Sequence, residues 1–321
     1  MRPGLLLVNL GSPASPKTAD VKAYLREFLS DPSVIEMPRA LWQPILKGII
    51  LPTRSWRSAT FYADSWTKQG SPLIVNSRAI HKKVQACLPN WNVRLAMTYG
   101  EPDIGQNLRA LHQSGCDPLI VLPLFPQYTQ STHQGIIRQA DATGLDYQLI
   151  DHFYDQPDYA KLLAAKLWAA YQQHDYDTVV FSYHSIPTAM VRHGDPYQQQ
   201  CEATTKLVLN QLPDLPQRKV VTAYQSKFGP LPWLKPYLKN ELMSLVELGK
   251  RKVLLVTPSF VTDCLETLEE DAVQNYQTFK ASGGERLDIT PLMNADPQFC
   301  RMLANLATQR LEVAQRDAQS V

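Results

Sequence analysis

The sequence predicts an α/β protein made of two doubly wound lobes, each a parallel sheet covered by helices on both faces. Three observations predict it. The chain has 321 residues, about twice the ~150 residues of a single domain. Short apolar runs bounded by turn residues have the pattern of strands buried on both faces. These runs alternate with segments of helical periodicity, and the series occurs once before and once after about residue 150.

The elements follow in order. Residues 4–10 (GLLLVNL) read as a buried strand, ended by Gly11-Ser12-Pro13. Residues 21–29 carry apolar side chains at helical spacing. Residues 91–99 read as a strand, 104–111 as a helix, 118–124 (PLIVLPL) as a second buried strand despite its proline, and 147–151 as a short third. In the second half, 159–171 is an amphipathic helix. Strands at 178–183, 220–225 and 252–257 alternate with helices over about 196–212, 238–248 and 263–279. Phe299, Leu303, Leu306 and Val313 mark a last amphipathic helix. The boundaries expected are a first lobe over 1–150, with a lip segment at about 35–75, and a second lobe over 151–321 that includes the C-terminal helix.

Composition narrows the class. Hydrophobic residues make up 44%, which excludes disorder. The 32 Lys and Arg against 30 Asp and Glu give a net charge of +2, without the basic excess of a nucleic-acid binder. The five cysteines, at 87, 116, 201, 264 and 300, contain no CxxC pair and are odd in number, which argues against a disulfide framework or structural zinc. A reducing, cytoplasmic setting follows. The N-terminal apolar run is too short for a signal peptide. The longest apolar stretch, 48–52, is far below the ~20 residues of a membrane span. The expectation is a soluble monomer. Residues 37–57 (MPRALWQPILKGIILPTRSWR) resist the strand–helix scheme. They read either as a loop–helix segment packed on the core or as an apolar lip for a flat ligand or a membrane surface.

Four places can carry chemistry. His184 follows the strand at 178–183, where open α/β sheets bind ligands, and an imidazole there can take a proton or a metal. Asp263, Glu266 and Glu270 are spaced three and four apart and share a face if the segment is an α-helix. Acidic residues favour a helix N-terminus, which explains Asp263 well and Glu270, two turns in, poorly. One His and one carboxylate make an incomplete set for tight metal binding and suit a metal held briefly. The hydroxyls of Thr129, Ser131 and Thr132 can cap a helix or meet an anion. Trp233, after two prolines, can stack on a flat ligand or fill the core. His133 and His193 read as surface residues. No GxGxxG, GxSxG or GxxxxGK[ST] motif is present.

Taken together, these segments resemble the ferrochelatase family, over nearly the whole chain. The resemblance runs through residues 7–13 (LVNLGSP), 123–128 (PLFPQY) with Ser131-Thr132, 182–187 (SYHSIP), 194–197 (GDPY), 225–230 (QSKFGP) with 232–234 (PWL), and 263–268 (DCLETL). It implies two Rossmann-like lobes of the chelatase fold with a porphyrin cleft between them. It implies a lyase that inserts Fe²⁺ into a porphyrin with release of two protons. It makes His184 and Glu266 the catalytic, metal-handling pair, and Asp263 and Glu270 a proton or cation relay. Arg54, Tyr62 and Ser71 match a porphyrin-binding set, and Tyr99 and Trp233 match cleft-lining aromatics. Leu10 stands where coproporphyrin-using relatives often carry a Tyr, which favours protoporphyrin IX as substrate and leaves coproporphyrin III as the alternative. A porphyrin carrier without chemistry is the further alternative. The cysteine-rich tail of the animal enzymes is missing, so no iron–sulfur cluster is expected and Fe²⁺ enters only as substrate. The resemblance leaves room for peripheral membrane contact through the lip. Cys264 stands where some relatives have His, and Gln274 where some have a further acid, which shortens the expected relay.

Overall fold

The structure is a computed structural model and describes residues 2–35 and 37–319. Two compact units divide the chain. In the first, β1 (Arg2–Gly11) is followed by α1 (Thr18–Ser30), α2 (Arg39–Ile45), a π-turn (Leu46–Ile50), α3 (Leu51–Ser65) and α4 (Pro72–Cys87). Then come β2 (Asn92–Tyr99), α5 (Ile104–Gln113), β3 (Cys116–Pro123), α6 (Gln130–Asp141) and β4 (Gln148–Leu149). The four strands are parallel, in the order β2-β1-β3-β4.

β1 pairs with β2 and β3 along both edges, helices α4 and α5 pack on it, and Leu5, Leu6, Leu7 and Val8, which point alternately to the two faces, are all fully buried. That explains a run of consecutive apolar residues where a half-exposed strand would alternate. Leu6 and Val8 join Ala96, Ile104, Leu108, Val121 and Ile136 in one core. Pro118 is tolerated inside β3 because the register with β1 shifts there: Cys116 pairs with Arg2 and Leu119 with Gly4. Gly11 ends β1 at a φ of +108°, where a Cβ would lie 1.9 Å from the carbonyl oxygen of Tyr99. Only glycine fits that turn.

The segment that resists the scheme is helical. Pro44 lies inside α2, and the backbone passes into the π-turn just after it. Trp42 is buried and its Nε1 donates to the Leu29 carbonyl at 2.6 Å. Leu41, Ile49 and Trp56 stay exposed. α4 is absent from the sequence reading, because its opening PLIV imitates a short strand. His133 is a correction to that reading: it is fully buried on α6, its ring 5.9 Å from that of Phe125.

The second unit repeats the pattern. It contains α7 (Pro157–Tyr171), β5 (Thr178–His184), α8 (Thr188–Arg192), α9 (Tyr197–Asn210), a 3₁₀ turn (Gln217–Lys219), β6 (Val220–Gln225) and α10 (Leu238–Glu247). β7 (Lys252–Val256), a π-helix (Glu266–Asn275), α11 (Tyr276–Ala281) and β8 (Arg286–Ile289) complete it. The parallel order β6-β5-β7-β8 is the strand order of the first unit. Val180, Ala223, Leu242, Val253, Leu255 and Phe279 form its core. In both sheets the chain switches sides about the central strand, and such a switch point opens a crevice at the strands' carboxyl ends.

The last helix, α12 (Pro297–Gln319), corrects the expected boundaries. Residues 294–319 cluster with the first unit and not with the second, and α12 packs against α4 and β3. Its amphipathic stripe, including Phe299 and Leu303, is buried there. Residues 126–128 go the other way and belong to the second unit. Sequence patterning finds the apolar stripe of a helix but carries no address for the sheet that covers it. Among the described residues no helix is long and apolar enough to cross a membrane.

Candidate active site

In the second unit, β5 ends on His184, paired with Gln225 of β6, at the switch point of a sheet in which β5 lies between β6 and β7. Its backbone N–H donates to Ser259 Oγ at 3.2 Å. Its Nδ1 lies 2.6 Å from the Ser185 carbonyl oxygen. A carbonyl only accepts, so Nδ1 carries the hydrogen and the lone pair of neutral His184 is at Nε2. The ring is therefore oriented before any ligand arrives. Phe260 stands beside it, ring centroids 6.3 Å apart. The chain leaving β6 is pinned to the chain leaving β5: Leu234 N–H donates to the Ile186 carbonyl and Thr188 N–H to the Pro232 carbonyl, both at 3.0 Å. This places Trp233 in a bridge with Pro187, its Nε1 buried without a hydrogen-bond partner.

β7 leads through a turn to the acidic segment. Asp263 lies in that turn, before the helix starts, and the helix from Glu266 is π rather than α. The shared α-helical face expected for Asp263, Glu266 and Glu270 does not form. Glu266 and Glu270 still interact. Burial raises the Glu270 carboxyl, two hydrogen bonds from Ser226 oppose that, the Glu266 charge raises it further and His184 lowers it. The bonds come from Ser226 N–H at 2.8 Å and from its hydroxyl. Ser226 holds a φ of 64°, an uncommon conformation for a non-glycine residue, and it presents both donors to one carboxylate.

The sequence reading missed Asp271, which is fully buried behind Glu270. Its Oδ2 accepts from Gln225 Nε2 at 2.9 Å and its Oδ1 from Asn275 Nδ2 at 3.0 Å. Ser182 Oγ in turn donates to Gln225 Oε1 at 2.6 Å. Burial, then the Glu270 charge, push the Asp271 carboxyl well above the usual range. α-Helical counting turns Asp271 away from Glu266, whereas the i→i+5 pattern of a π-helix brings 266 and 271 together. Among the described residues no three His, Cys, Asp or Glu side chains form a set that could hold a metal ion. His184, Glu266 and Glu270 are an open arrangement, not a closed structural metal site.

The first unit carries a cavity of about 1090 Å³. Ser71 and Tyr99 line it. Tyr62 packs edge-on against two lining residues, Tyr24 and Trp66, at 6.4 and 6.3 Å. Tyr99 Oη donates to Asp31 Oδ2 at 2.9 Å, and burial pushes that phenol far above its ordinary range. Asp31 also pairs with Arg138 and accepts from Ser33. Leu10 and Arg54 do not line the cavity. Leu10 is half-buried near the end of β1, and Arg54 is exposed on α3.

The family model for ferrochelatase matches residues 2–311. The coproporphyrin III ferrochelatase of Lactiplantibacillus plantarum is 74% identical, over 98% of this chain and 97% of its own. That of Lacticaseibacillus casei is 57% identical, over 97% of both chains. The ferrochelatase of Stenotrophomonas maltophilia is 41% identical over 96% of this chain and 97% of its own. Among solved structures, SirB from Bacillus subtilis with Fe³⁺ aligns over 97% of this chain and 96% of its own, with a TM-score of 0.55 and 12% identity. That likeness establishes the chelatase fold. Two parallel sheets of one topology, a strand-end histidine beside carboxylates, and matches to ferrochelatases along the whole chain lead to one assignment: this chain belongs to the ferrochelatase family, the lyases that insert Fe²⁺ into a porphyrin.

Proposed function

We propose that this chain inserts Fe²⁺ into coproporphyrin III, with His184 and Glu266 as the residues that handle metal and protons. The observation that carries the substrate is the 74% identity to a coproporphyrin III ferrochelatase across both full lengths. The reading from Leu10, which favours protoporphyrin IX, is set aside. Leu10 could bear only on the centre of the macrocycle. The two porphyrins differ at the periphery, where coproporphyrin III carries four carboxylates and protoporphyrin IX two.

Metallation removes two N–H protons for each Fe²⁺ bound, so the site needs proton acceptors beside a metal-presenting group. His184 Nε2 offers an oriented lone pair, since Nδ1 is held by the Ser185 carbonyl. It takes one pyrrole proton or one coordination position on the incoming iron. Glu266, at the open end of the π-helix, does the complementary task. Glu270 stands next in line, held by Ser226, and the burial that raises its carboxyl favours the protonated form it takes on receiving a proton from Glu266. Asp271, behind it, completes a row of carboxylates running into the unit's interior. Asp263, outside the helix, takes no position in this row.

The test is anaerobic incubation with limiting Fe²⁺ and an equimolar mixture of coproporphyrin III and protoporphyrin IX, with products separated by chromatography. Iron coproporphyrin III should dominate. Dominance of iron protoporphyrin IX would reverse the substrate. In parallel, His184→Ala and Glu266→Gln should still quench porphyrin fluorescence while losing metallation. Retained metallation in either would remove that residue from the proposed pair.

A further inference from the structure

Gln225, the last residue of β6, is bonded both to the segment that orients His184 and to the helix that carries Glu266. It lies opposite His184 in the sheet register, and its carbonyl accepts from Ser185 N–H at 2.8 Å. Ser185, pinned in this way, holds Nδ1 of His184 with its own carbonyl. The Gln225 side chain reaches the π-helix, where its Nε2 donates to Asp271 Oδ2 at 2.9 Å. Its Oε1 accepts from Ser182 Oγ at 2.6 Å. Strand alternation puts Ser182 on the face of β5 that carries His184. Asn275 Nδ2 holds the other oxygen of Asp271 at 3.0 Å. All four side chains of this network are buried. The next residue repeats the contact, since Ser226 donates twice to Glu270. Two consecutive residues leaving β6 thus grip two consecutive residues of the π-helix.

We propose that Gln225 is a positioning residue for metallation, which sets the spacing of His184 and Glu266 by bonding the peptide that orients the one and the helix that presents the other. The inference rests on the reading of His184 and Glu266 as the metal-handling pair. The chemistry of the position calls for an amide. A carboxylate oxygen accepts, so the NH₂ of Gln225 faces Asp271 and its carbonyl is left for the Ser182 hydroxyl. A glutamate would set a second carboxylate against Asp271, and an apolar side chain of the same length would bond neither partner. The grip on Asp271 also fixes the helix register. In i→i+5 bonding Glu266 and Asp271 lie together, so holding Asp271 holds the turn that opens at Glu266. Rewound as an α-helix, the segment would turn Asp271 away and carry Glu266 to a new place. The network is buried, so water does not replace a bond lost from it. A misplacement of about 1 Å remote from the reacting atoms can cost about 10²-fold in rate.

The test uses the full chain with Gln225→Met, which keeps the side-chain length and removes both bonds, and Ser182→Ala, which frees the amide at Oε1 alone. Thr178→Val is the control: its hydroxyl is buried at the other end of β5, with no hydrogen-bond partner among the described residues. Zn²⁺ insertion into coproporphyrin III gives kcat and the KM for the metal. Fluorescence quenching gives the porphyrin Kd and the number of porphyrin sites, hence the folded fraction. Gln225→Met should raise the metal KM and lower kcat per folded site, taking kcat/KM for the metal down by about tenfold or more. Ser182→Ala should move the same quantities by about threefold, and it carries the test if Gln225→Met does not fold. The porphyrin Kd should stay within about twofold of the wild type in both, and the control should match the wild type throughout. Unchanged kinetics, a loss of kcat that follows the folded fraction with the metal KM unmoved, an equal rise in porphyrin Kd, or a matching shift in the control would overturn the inference. The reading of the pair fails separately, whatever Gln225→Met does, if His184→Ala or Glu266→Gln retains metallation.

Discussion

His133 should make the first unit sensitive to mild acid. The ring is fully buried on α6, with Nδ1 2.9 Å from Thr132 Oγ1 and 3.3 Å from the Thr129 carbonyl. Burial lowers its pKa to about 4, against the opposing effect of hydrogen bonding to Thr129 and of Asp151. Unfolded, the same imidazole titrates near 6.5. Between those values the unfolded chain binds the extra proton, so stability rises with pH across that window. The contribution is complete above about pH 6.5 and is lost as pH falls towards 4. A gap of ~2.5 units at 1.36 kcal/mol each gives about 3 kcal/mol in all. The perturbation is His133→Gln, which keeps a polar side chain without the titration. Urea unfolding of both proteins at pH 7.0 and 4.5 reads the difference, and the variant should lose less stability to acid by about 2–3 kcal/mol. The Cε1–H resonance of His133 should show no titration above about pH 5. A midpoint near 6.5, or identical acid loss in the two proteins, would refute the reasoning.

Three further outcomes follow from local geometry. Gly11→Ala places a methyl group against the Tyr99 carbonyl at a positive φ, and should cost at least ~2 kcal/mol by thermal or urea unfolding; an unchanged midpoint would contradict the turn geometry. Asp31→Ala strips the shared acceptor from Tyr99, Ser33 and Arg138 and should cost about 2–3 kcal/mol, with much of that loss shared with Arg138→Ala in a double-mutant cycle; full additivity would deny the network. Ser226→Ala removes a hydrogen bond that holds the Glu270 pKa down, so the acid limb of the kcat/KM profile for metallation should move to higher pH. No shift would take Glu270 out of the proton route.

Much of this architecture is legible in the sequence because strands buried on both faces leave a simple trace. The runs at 4–10 and 178–183 appear as β1 and β5, and the position of His184 at a strand end can be read without coordinates. What the sequence hides has physical causes. A π-helix is counted as α by any 3.6-residue period, which puts Asp263 on a face it does not share and passes over Asp271. α12 has the expected stripe, but the chain joins it to the first unit. His133 reads as a surface residue from sequence, yet α6 buries the face that carries it.

The proposed substrate of this ferrochelatase is the four-carboxylate porphyrin, coproporphyrin III. The most direct measurement is the anaerobic initial rate of Fe²⁺ insertion by the wild-type chain over a concentration series of each porphyrin. The expected kcat/KM for coproporphyrin III is at least about tenfold above that for protoporphyrin IX, a difference of ~1.4 kcal/mol in transition-state stabilisation. A kcat/KM for protoporphyrin IX that equals or exceeds it would contradict the claim.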